Sequence, residues 1–296
     1  MDVVVNAPHL PALDETVAGN GVTYQFGGKG GNQAVAAARF GAKTAMAGRV
    51  GADEFAEHLL AHLDESGVER SQVQQGAGAS GMSVAIVNSK GGYGAVTVSA
   101  ANLEIELGKI SIPRGTKILI LQNEVPEALN IALAKKAKRA GISIILNAAP
   151  AREMEDELVG LLDMLIVNRG EASLLCNQGE AGLNPADAAM ALHQKGARQV
   201  IITLGEEGLV FVDEGKDVLE AAAFGVDVIS SHGAGDAFTG ALAACLATGR
   251  GTHQAIRFAQ GAAALHVSTP VEKRCGISIT EVERLAGLGA CETASR

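Results

Sequence analysis

The chain has 296 residues, with 24 basic against 33 acidic side chains, a formal net charge of −9, 47% hydrophobic and 3% aromatic residues, and no tryptophan. This balance excludes a disordered chain, which has too little apolar surface to bury. It also offers nucleic acid neither an overall basic footprint nor an aromatic stacking platform. The 37 glycines follow no G-X-Y period, so collagen is excluded, and the surplus belongs in tight turns and ligand loops.

The N-terminal Met1-Asp2-Val3-Val4-Val5 has no basic n-region and no signal-peptide layout. Val3–Val5 and Val17–Phe26 are predicted to pair with a hairpin made of Ser83–Val87 and Ala95–Ser99, whose turn is Asn88-Ser89-Lys90-Gly91-Gly92. Between them, the glycine-rich Gly27–Ala34 leads into an Ala-rich helix, Val35–Phe40. Ile118–Leu121, Ile142–Leu146, Met164–Val167 and Gln199–Thr203 read as buried strands. Helices are expected over Pro126–Ala140, from about Glu171, and over Pro185–Lys195, with Gly141 and Gly196 as stops. Lys135, Lys136, Lys138 and Arg139 sit near the end of the first of these, where the helix dipole favours cations. Strands alternating with helices predict βαβ units and a mostly parallel sheet beside a smaller one.

No run approaches the ~18 apolar residues of a membrane helix. Without a repeat or a long linker, the expectation is a single domain over 1–296, with the small sheet drawn from about 3–26 and 82–99. Cys176, Cys245, Cys275 and Cys291 lie far apart, with no CxxC and no Cys/His cluster. Neither a zinc site nor a disulfide framework is indicated, and a reduced, cytosolic compartment fits best.

Four segments combine turn residues with chemistry. Gly27-Gly28-Lys29-Gly30-Gly31-Asn32-Gln33-Ala34 matches neither a Walker A loop nor G-x-G-x-x-G. It is either a ligand loop at a helix N-terminus or a plain turn. Gly233-Ala234-Gly235-Asp236 also opens a small-residue helix. Its N–H groups can meet developing charge and Asp236 can accept a proton, or Asp236 merely caps the helix. In Asn168-Arg169-Gly170-Glu171, Asn168 and Glu171 either hold Mg²⁺ through waters or form a capping box. Thr203-Leu204-Gly205-Glu206-Glu207-Gly208 reads by itself as a hairpin turn.

In this order, from Asp2 to about Glu283, the segments resemble the ribokinase branch of the PfkB carbohydrate kinase family. FGGKGGNQAVAAARFG (Phe26–Gly41) resembles its N-terminal signature, HGAGDAFTGAL (His232–Leu242) its C-terminal signature, and LNAAPAR (Leu146–Arg152) its LNPAPAR segment. The resemblance implies a three-layer αβα sandwich with a Rossmann-like parallel sheet and a small β-sheet lid, often used for dimerisation. The implied reaction is transfer of the ATP γ-phosphoryl to a primary hydroxyl of a sugar, D-ribose first. Fructose, 2-keto-3-deoxygluconate or a nucleoside are the alternatives.

By the same resemblance Asp236 is the catalytic base, and Gly233, Ala234 and Gly235 form the anion hole. Asp2, Gly28, Lys29, Asn32 and Glu124 match sugar-binding positions; Asp2 is placed by counting back from Asp14-Glu15-Thr16, which resembles the family's G-E-T. Asn168, Thr203, Gly205 and Gly208 match nucleotide positions, Gln260 stands where a His lies near adenine, and Glu171 is Mg²⁺-associated. The implied partners are the sugar, ATP and a second copy of the chain, with no nucleic acid and no membrane.

The chain also departs from the pattern. The family has a G-x-x-x-x-D strand before the sugar-binding Asp, and this sequence starts at Met1-Asp2. That strand belongs inside the main sheet, so an unfilled slot is expected, from an upstream start or from a damaged kinase. The Asn that precedes the sugar-binding Asp is absent too. Ile229-Ser230-Ser231 stands where V-D-T lines a monovalent-cation loop, and Val271 and Cys275 replace Gly and Ser. K⁺ is therefore disfavoured. His232 is either a tolerated loop residue or a phosphate contact. These departures keep a second reading open, a sugar- or nucleotide-binding protein without turnover. A Rossmann dehydrogenase is excluded, because no G-x-G-x-x-G follows an early strand.

Overall fold

Alternation along four parallel strands builds the central layers of this computed structural model, which describes residues 1–88, 92–215 and 217–289. The strands are β7 (Ile118–Gln122), β8 (Ser143–Asn147), β9 (Met164–Asn168) and β10 (Gln199–Thr203). An antiparallel extension, β11 (Leu209–Val212) and β12 (Val218–Ala221), completes a six-stranded sheet of order β12-β11-β10-β9-β8-β7. Ile144, Leu146, Leu165, Val167, Val200 and Ile202 point to one face, and Ile145, Met164, Ile166 and Ile201 to the other. Both faces are buried, so these strands read as continuous apolar runs. Each fully buried Leu or Ile contributes about 1.5–3 kcal/mol relative to exposure.

The first face carries α3 (Glu127–Arg139), the short α4 (Asp156–Val159), α5 (Arg169–Leu175) and α6 (Pro185–Gln194). The second carries α7 (Ala234–Ala247), α8 (Thr252–Ser268) and α9 (Ile279–Ala286). The result is the αβα sandwich. Two helices stand nearer the N-terminus, α1 (Lys29–Arg39) and α2 (Glu54–Glu65).

A parallel pair, β3 (Ala45–Val50) and β4 (Glu69–Gln75), forms its own two-stranded sheet. Helix α1 packs against both β3 and β7. A Cβ on Gly30 would stand 3.1 Å from Gln122 of β7 and 3.5 Å from Met46 of β3. Among the described residues β7 pairs only with β8, and β3 only with β4. Helix α1 therefore bridges β7 and β3.

The small sheet has the order β2-β1-β5-β6, from β1 (Asp2–Ala7), β2 (Gly21–Gln25), β5 (Met82–Asn88) and β6 (Tyr93–Val98). β1 runs parallel to β5, with Asp2 opposite Ser83. The register sorts the two faces. Asp2, Ser83 and Thr97 share one; Val3, Val5, Val22, Tyr24, Val84, Ile86, Val96 and Val98 share the other.

Three local expectations change. The predicted strand 17–26 is ordered as a strand only over Gly21–Gln25, and it pairs with β1 rather than with the hairpin. Helix α1 begins at Lys29, not Val35, so Gly30, Gly31 and Asn32 are helical. Phe26 leaves no room for a side chain at Gly31 and Gln122 crowds Gly30, and packing overrides glycine's poor helix propensity. Helix α5 begins at Arg169, two residues early, because Asn168 is its cap. Ser89, Lys90 and Gly91 of the hairpin turn, and Cys291, lie outside the described residues.

Candidate active site

Two glycine-led helix starts meet at the C-terminal edge of the parallel strands, the usual ligand crevice of such sheets. Close approach of α1 and α7 makes this possible. A Cβ on Gly240 of α7 would fall 2.5 Å from the Gln33 carbonyl oxygen and 2.6 Å from Ala36 Cβ, so only glycine allows the contact. The contact carries Asn32 and Gln33 onto Asp236.

Asp236 lies in the first turn of α7 and is 7% exposed. Its Oδ1 accepts from Gln33 Nε2 at 2.9 Å and its Oδ2 from Asn32 Nδ2 at 3.1 Å. Gln122, at the end of β7, donates to Gln33 Oε1 at 2.7 Å and so turns the Gln33 amide nitrogen toward Asp236. Burial pushes the Asp236 carboxyl up, while the Lys29 charge and the two amides oppose the rise. Thr239 donates to the Gly235 carbonyl at 2.8 Å and accepts from Asn147 Nδ2 at the end of β8, at 3.2 Å, which ties the first turn of α7 to the sheet.

Gly233 caps α7 at φ +77°, a left-handed conformation that favours glycine, with His266 Nε2 only 3.0 Å from where a Cβ would sit. The predicted anion hole is partly engaged. The Ala234 N–H donates to the Ser231 carbonyl at 3.2 Å, while the N–H groups of Gly235 and Asp236 find no protein acceptor among the described residues.

The small sheet supplies the opposite wall. Asp2 accepts from Ser83 Oγ, and its Oδ2 stands 3.2 Å from His232 Nε2 in the loop before Gly233. Gly27 lies against that carboxylate, where a Cβ would fall 2.2 Å from Oδ2. Burial raises the Asp2 carboxyl, but the bonds from His232 and Ser83 outweigh it and hold it below its ordinary value. The bond to Asp2 raises the His232 imidazole in turn, against its own burial. Glu124 Oε2 accepts the Lys29 backbone N–H at 2.8 Å, and burial raises Glu124. The Lys29 charge opposes the rise of the Glu124, Glu171 and Asp236 carboxyls alike.

The nucleotide-side candidates form a separate group. Asn168 and Glu171 make a reciprocal capping box, each backbone N–H donating to the other side chain at 2.8 Å. Glu171 Oε1 has no hydrogen-bond partner among the described residues, and burial raises this carboxyl. Thr203 sits beside Asn168 in register at the end of β10. Gly205 and Gly208 flank a one-turn connection into β11. Gln260 Nε2 lies 3.3 Å from the carbonyls of both Ala221 and Ala222, leaving Oε1 buried and unpaired. Gly208 abuts the same Ala221 carbonyl. Glu171 reaches the Asp236 cluster electrostatically; Thr203, Gly205, Gly208 and Gln260 make no hydrogen bond or ion pair with it among the described residues. No group of three or more His, Cys, Asp or Glu residues able to hold a metal occurs among the described residues.

Sequence reasoning missed Gln33, Gln122, Ser83 and Asn147. The only local signal was Gln33, a polar residue in an apolar helical stretch, and it is 1% exposed.

The pfkB family carbohydrate kinase model matches residues 1–275. The ribokinase of Haemophilus influenzae is 32% identical over 90% of this chain and 89% of its own. That of Bacillus subtilis is 34% identical over 90% and 89%. The structure of Arabidopsis thaliana ribokinase complexed with ribose and ATP superposes with a TM-score of 0.85, at 28% identity over 97% of this chain and 96% of that one. No described helix is long and apolar enough to cross a membrane. A family match over nearly the whole length, two relatives above 30% identity and a buried aspartate at the glycine-led start of α7 together place this chain in the pfkB family of carbohydrate kinases.

Proposed function

We propose that the chain transfers the γ-phosphoryl group of ATP to the primary hydroxyl of D-ribose, giving ribose 5-phosphate and ADP. The observation that carries this is Asp236, buried, with both oxygens fixed by Asn32 and Gln33, beside unclaimed N–H groups at the α7 N-terminus. The relatives named ribokinase and the neighbour complexed with ribose and ATP support the choice of sugar.

In this reading the sugar lies between Asp2, Gly28, Lys29, Asn32, Glu124 and Asp236. As the primary oxygen attacks the γ-phosphorus, its proton passes to Asp236. The bond to the β-phosphate oxygen breaks, and its electron pair leaves with ADP. A raised carboxyl is a better base, which suits this step. The Gly235 N–H and the positive end of α7 meet the charge on the transferring group.

ATP lies along Asn168, Thr203, Gly205, Gly208 and Gln260. When bound, Mg²⁺ would supply neutralisation of phosphate charge. Glu171 would hold it through the unpaired Oε1, by way of a water. The small sheet, read as a lid within one kinase domain, covers the sugar. Its outer face of Val22, Tyr24, Val96 and Val98 is exposed and apolar, which supports a homodimer through the lid. The use of ATP fits a cytoplasmic reaction.

The test is ADP release with ATP and Mg²⁺ over D-ribose, 2-deoxyribose, fructose, 2-keto-3-deoxygluconate and adenosine. Ribose is expected to give the highest kcat/KM. No turnover with ribose, with turnover on another of these, overturns the choice of sugar. Ligand-induced thermal stabilisation with no turnover on any of them favours the binding-protein reading.

A further inference from the structure

The loop that delivers the anion hole is built around a buried cation. Arg274, in the short 3₁₀ segment Val271–Gly276 after α8, is 7% exposed. Its Nη2 donates to the Ser230 carbonyl at 3.1 Å, its Nη1 to the His232 carbonyl at 3.2 Å, and its Nε to the Thr269 carbonyl at 3.1 Å. The same Nη1 stands 3.0 Å from His266 Nε2. Burial, with Arg274 close by, holds the His266 ring neutral, at a pKa of about 4. No carboxylate forms an ion pair with Arg274 among the described residues. A buried charge without a counter-ion is costly unless dipoles converge on it, and here three backbone carbonyls do.

Two of those carbonyls, from Ser230 and His232, belong to the segment that sets the α7 N-terminus. Ile229 and Ser230 both donate their N–H groups to the Val267 carbonyl, at 2.8 and 3.1 Å, so the loop is pinned to α8 on one side and to Arg274 on the other. His232 directly precedes Gly233, whose left-handed φ directs the following N–H groups. Moving the Ser230 and His232 carbonyls would rotate that turn.

A ring of backbone carbonyls is also how proteins hold an alkali cation. The residues here do not fit one. Ser230 supplies no carboxylate, Cys275 offers a thiol, and the carbonyls already accept from a guanidinium whose charge repels a second cation. We propose that Arg274 is a tethered cation that positions the anion-hole turn, so that phosphoryl transfer by this chain needs no monovalent cation. The guanidinium fork makes several directed bonds at once. Its charge behind α7 adds to the positive end that faces the transferring phosphoryl group. Arg274 acts as a positioning residue, and the inference rests on the kinase reading above.

The test uses the full chain with ribose, ATP and Mg²⁺, in K⁺ or in tetramethylammonium at equal ionic strength. The wild type is expected to give the same kcat within about twofold in both salts, and the same Tm. Arg274→Ala is expected to lose about 10- to 100-fold in kcat with the sugar KM little changed, K⁺ recovering part of the loss in this variant alone. Arg274→Lys should retain more kcat than the alanine variant. Activation of the wild type by K⁺ of about tenfold or more, an unchanged kcat in Arg274→Ala, or a loss that K⁺ does not relieve overturns the proposal. If Arg274→Ala does not fold, the wild-type salt comparison decides. If no sugar is phosphorylated, the kinase reading fails by itself, and a rise of the wild-type Tm in K⁺ still overturns the tethered cation.

Discussion

Helices α1 and α7 begin alike and end up with different work. Each follows a glycine at positive φ, Gly28 at +91° and Gly233 at +77°, and each packs small residues against the other. At α1 the leading N–H, from Lys29, is already taken by the protein's own Glu124, and the first turn carries no acid. At α7 the Gly235 N–H is unclaimed and the first turn carries Asp236. The same glycine pattern thus serves a binding wall in one place and the chemistry in the other. What decides is the acid in the first turn, because both helices leave their second N–H, from Gly30 or Gly235, without a protein acceptor among the described residues. Substitutions on the α7 side should act on kcat, and those on the α1 and lid side on KM.

The largest expected effect is at the base. Asp236→Asn should lower kcat by about 10²–10⁴, with the sugar KM and Tm nearly unchanged, as steady-state kinetics and a melt will report. A KM effect instead would erase the distinction between the two helices. Asp2→Asn comes next. Loss of the charged acceptor at the lid should raise the sugar KM by about 10- to 100-fold, equivalent to about 1.5–3 kcal/mol, with a smaller change in kcat. Enlarging the α1–α7 contact with Gly240→Ala should cost about 1–3 kcal/mol of stability, read as a lower urea midpoint, and should reduce kcat by loosening Asn32 and Gln33 from Asp236.

A smaller effect concerns pH. Burial holds the His266 imidazole at about 4, below its ordinary value of 6.5. Between these values the unfolded chain takes up a proton that the folded chain refuses. Stability is therefore lost as pH falls from about 6.5 toward 4, by roughly 1–3 kcal/mol. Urea midpoints across that window should flatten in His266→Gln; an unchanged slope would show that the ring is not the source.

Much of this arrangement is legible in the sequence, because local signals agree with it. The apolar run Gln199–Thr203 is bounded by glycine turns and forms β10 over those same residues. Asn168 and Glu171 have capping-box spacing, and the box forms while leaving Glu171 Oε1 open toward the proposed Mg²⁺ role. The rest depends on long-range approach. Ser83 reaches Asp2 only through parallel pairing across 81 positions. Gln33 reaches Asp236 only because Gly240 lets two helices close. Arg274 stands between Val271 and Cys275, whose types do attract notice, yet its role appears only when three carbonyls from two distant segments converge on it. The contact of α1 with both β7 and β3 likewise has no local signal, because it joins elements of two separate sheets.

The central claim is that Asp236 activates the primary hydroxyl of ribose. The most direct measurement is ³¹P and ¹³C NMR of the product formed from ATP and D-ribose by the wild type and by Asp236→Asn. Ribose 5-phosphate and ADP are expected in equal amounts from the wild type and almost none from the variant. Phosphate on another carbon, or equal product from the folded variant, would contradict it.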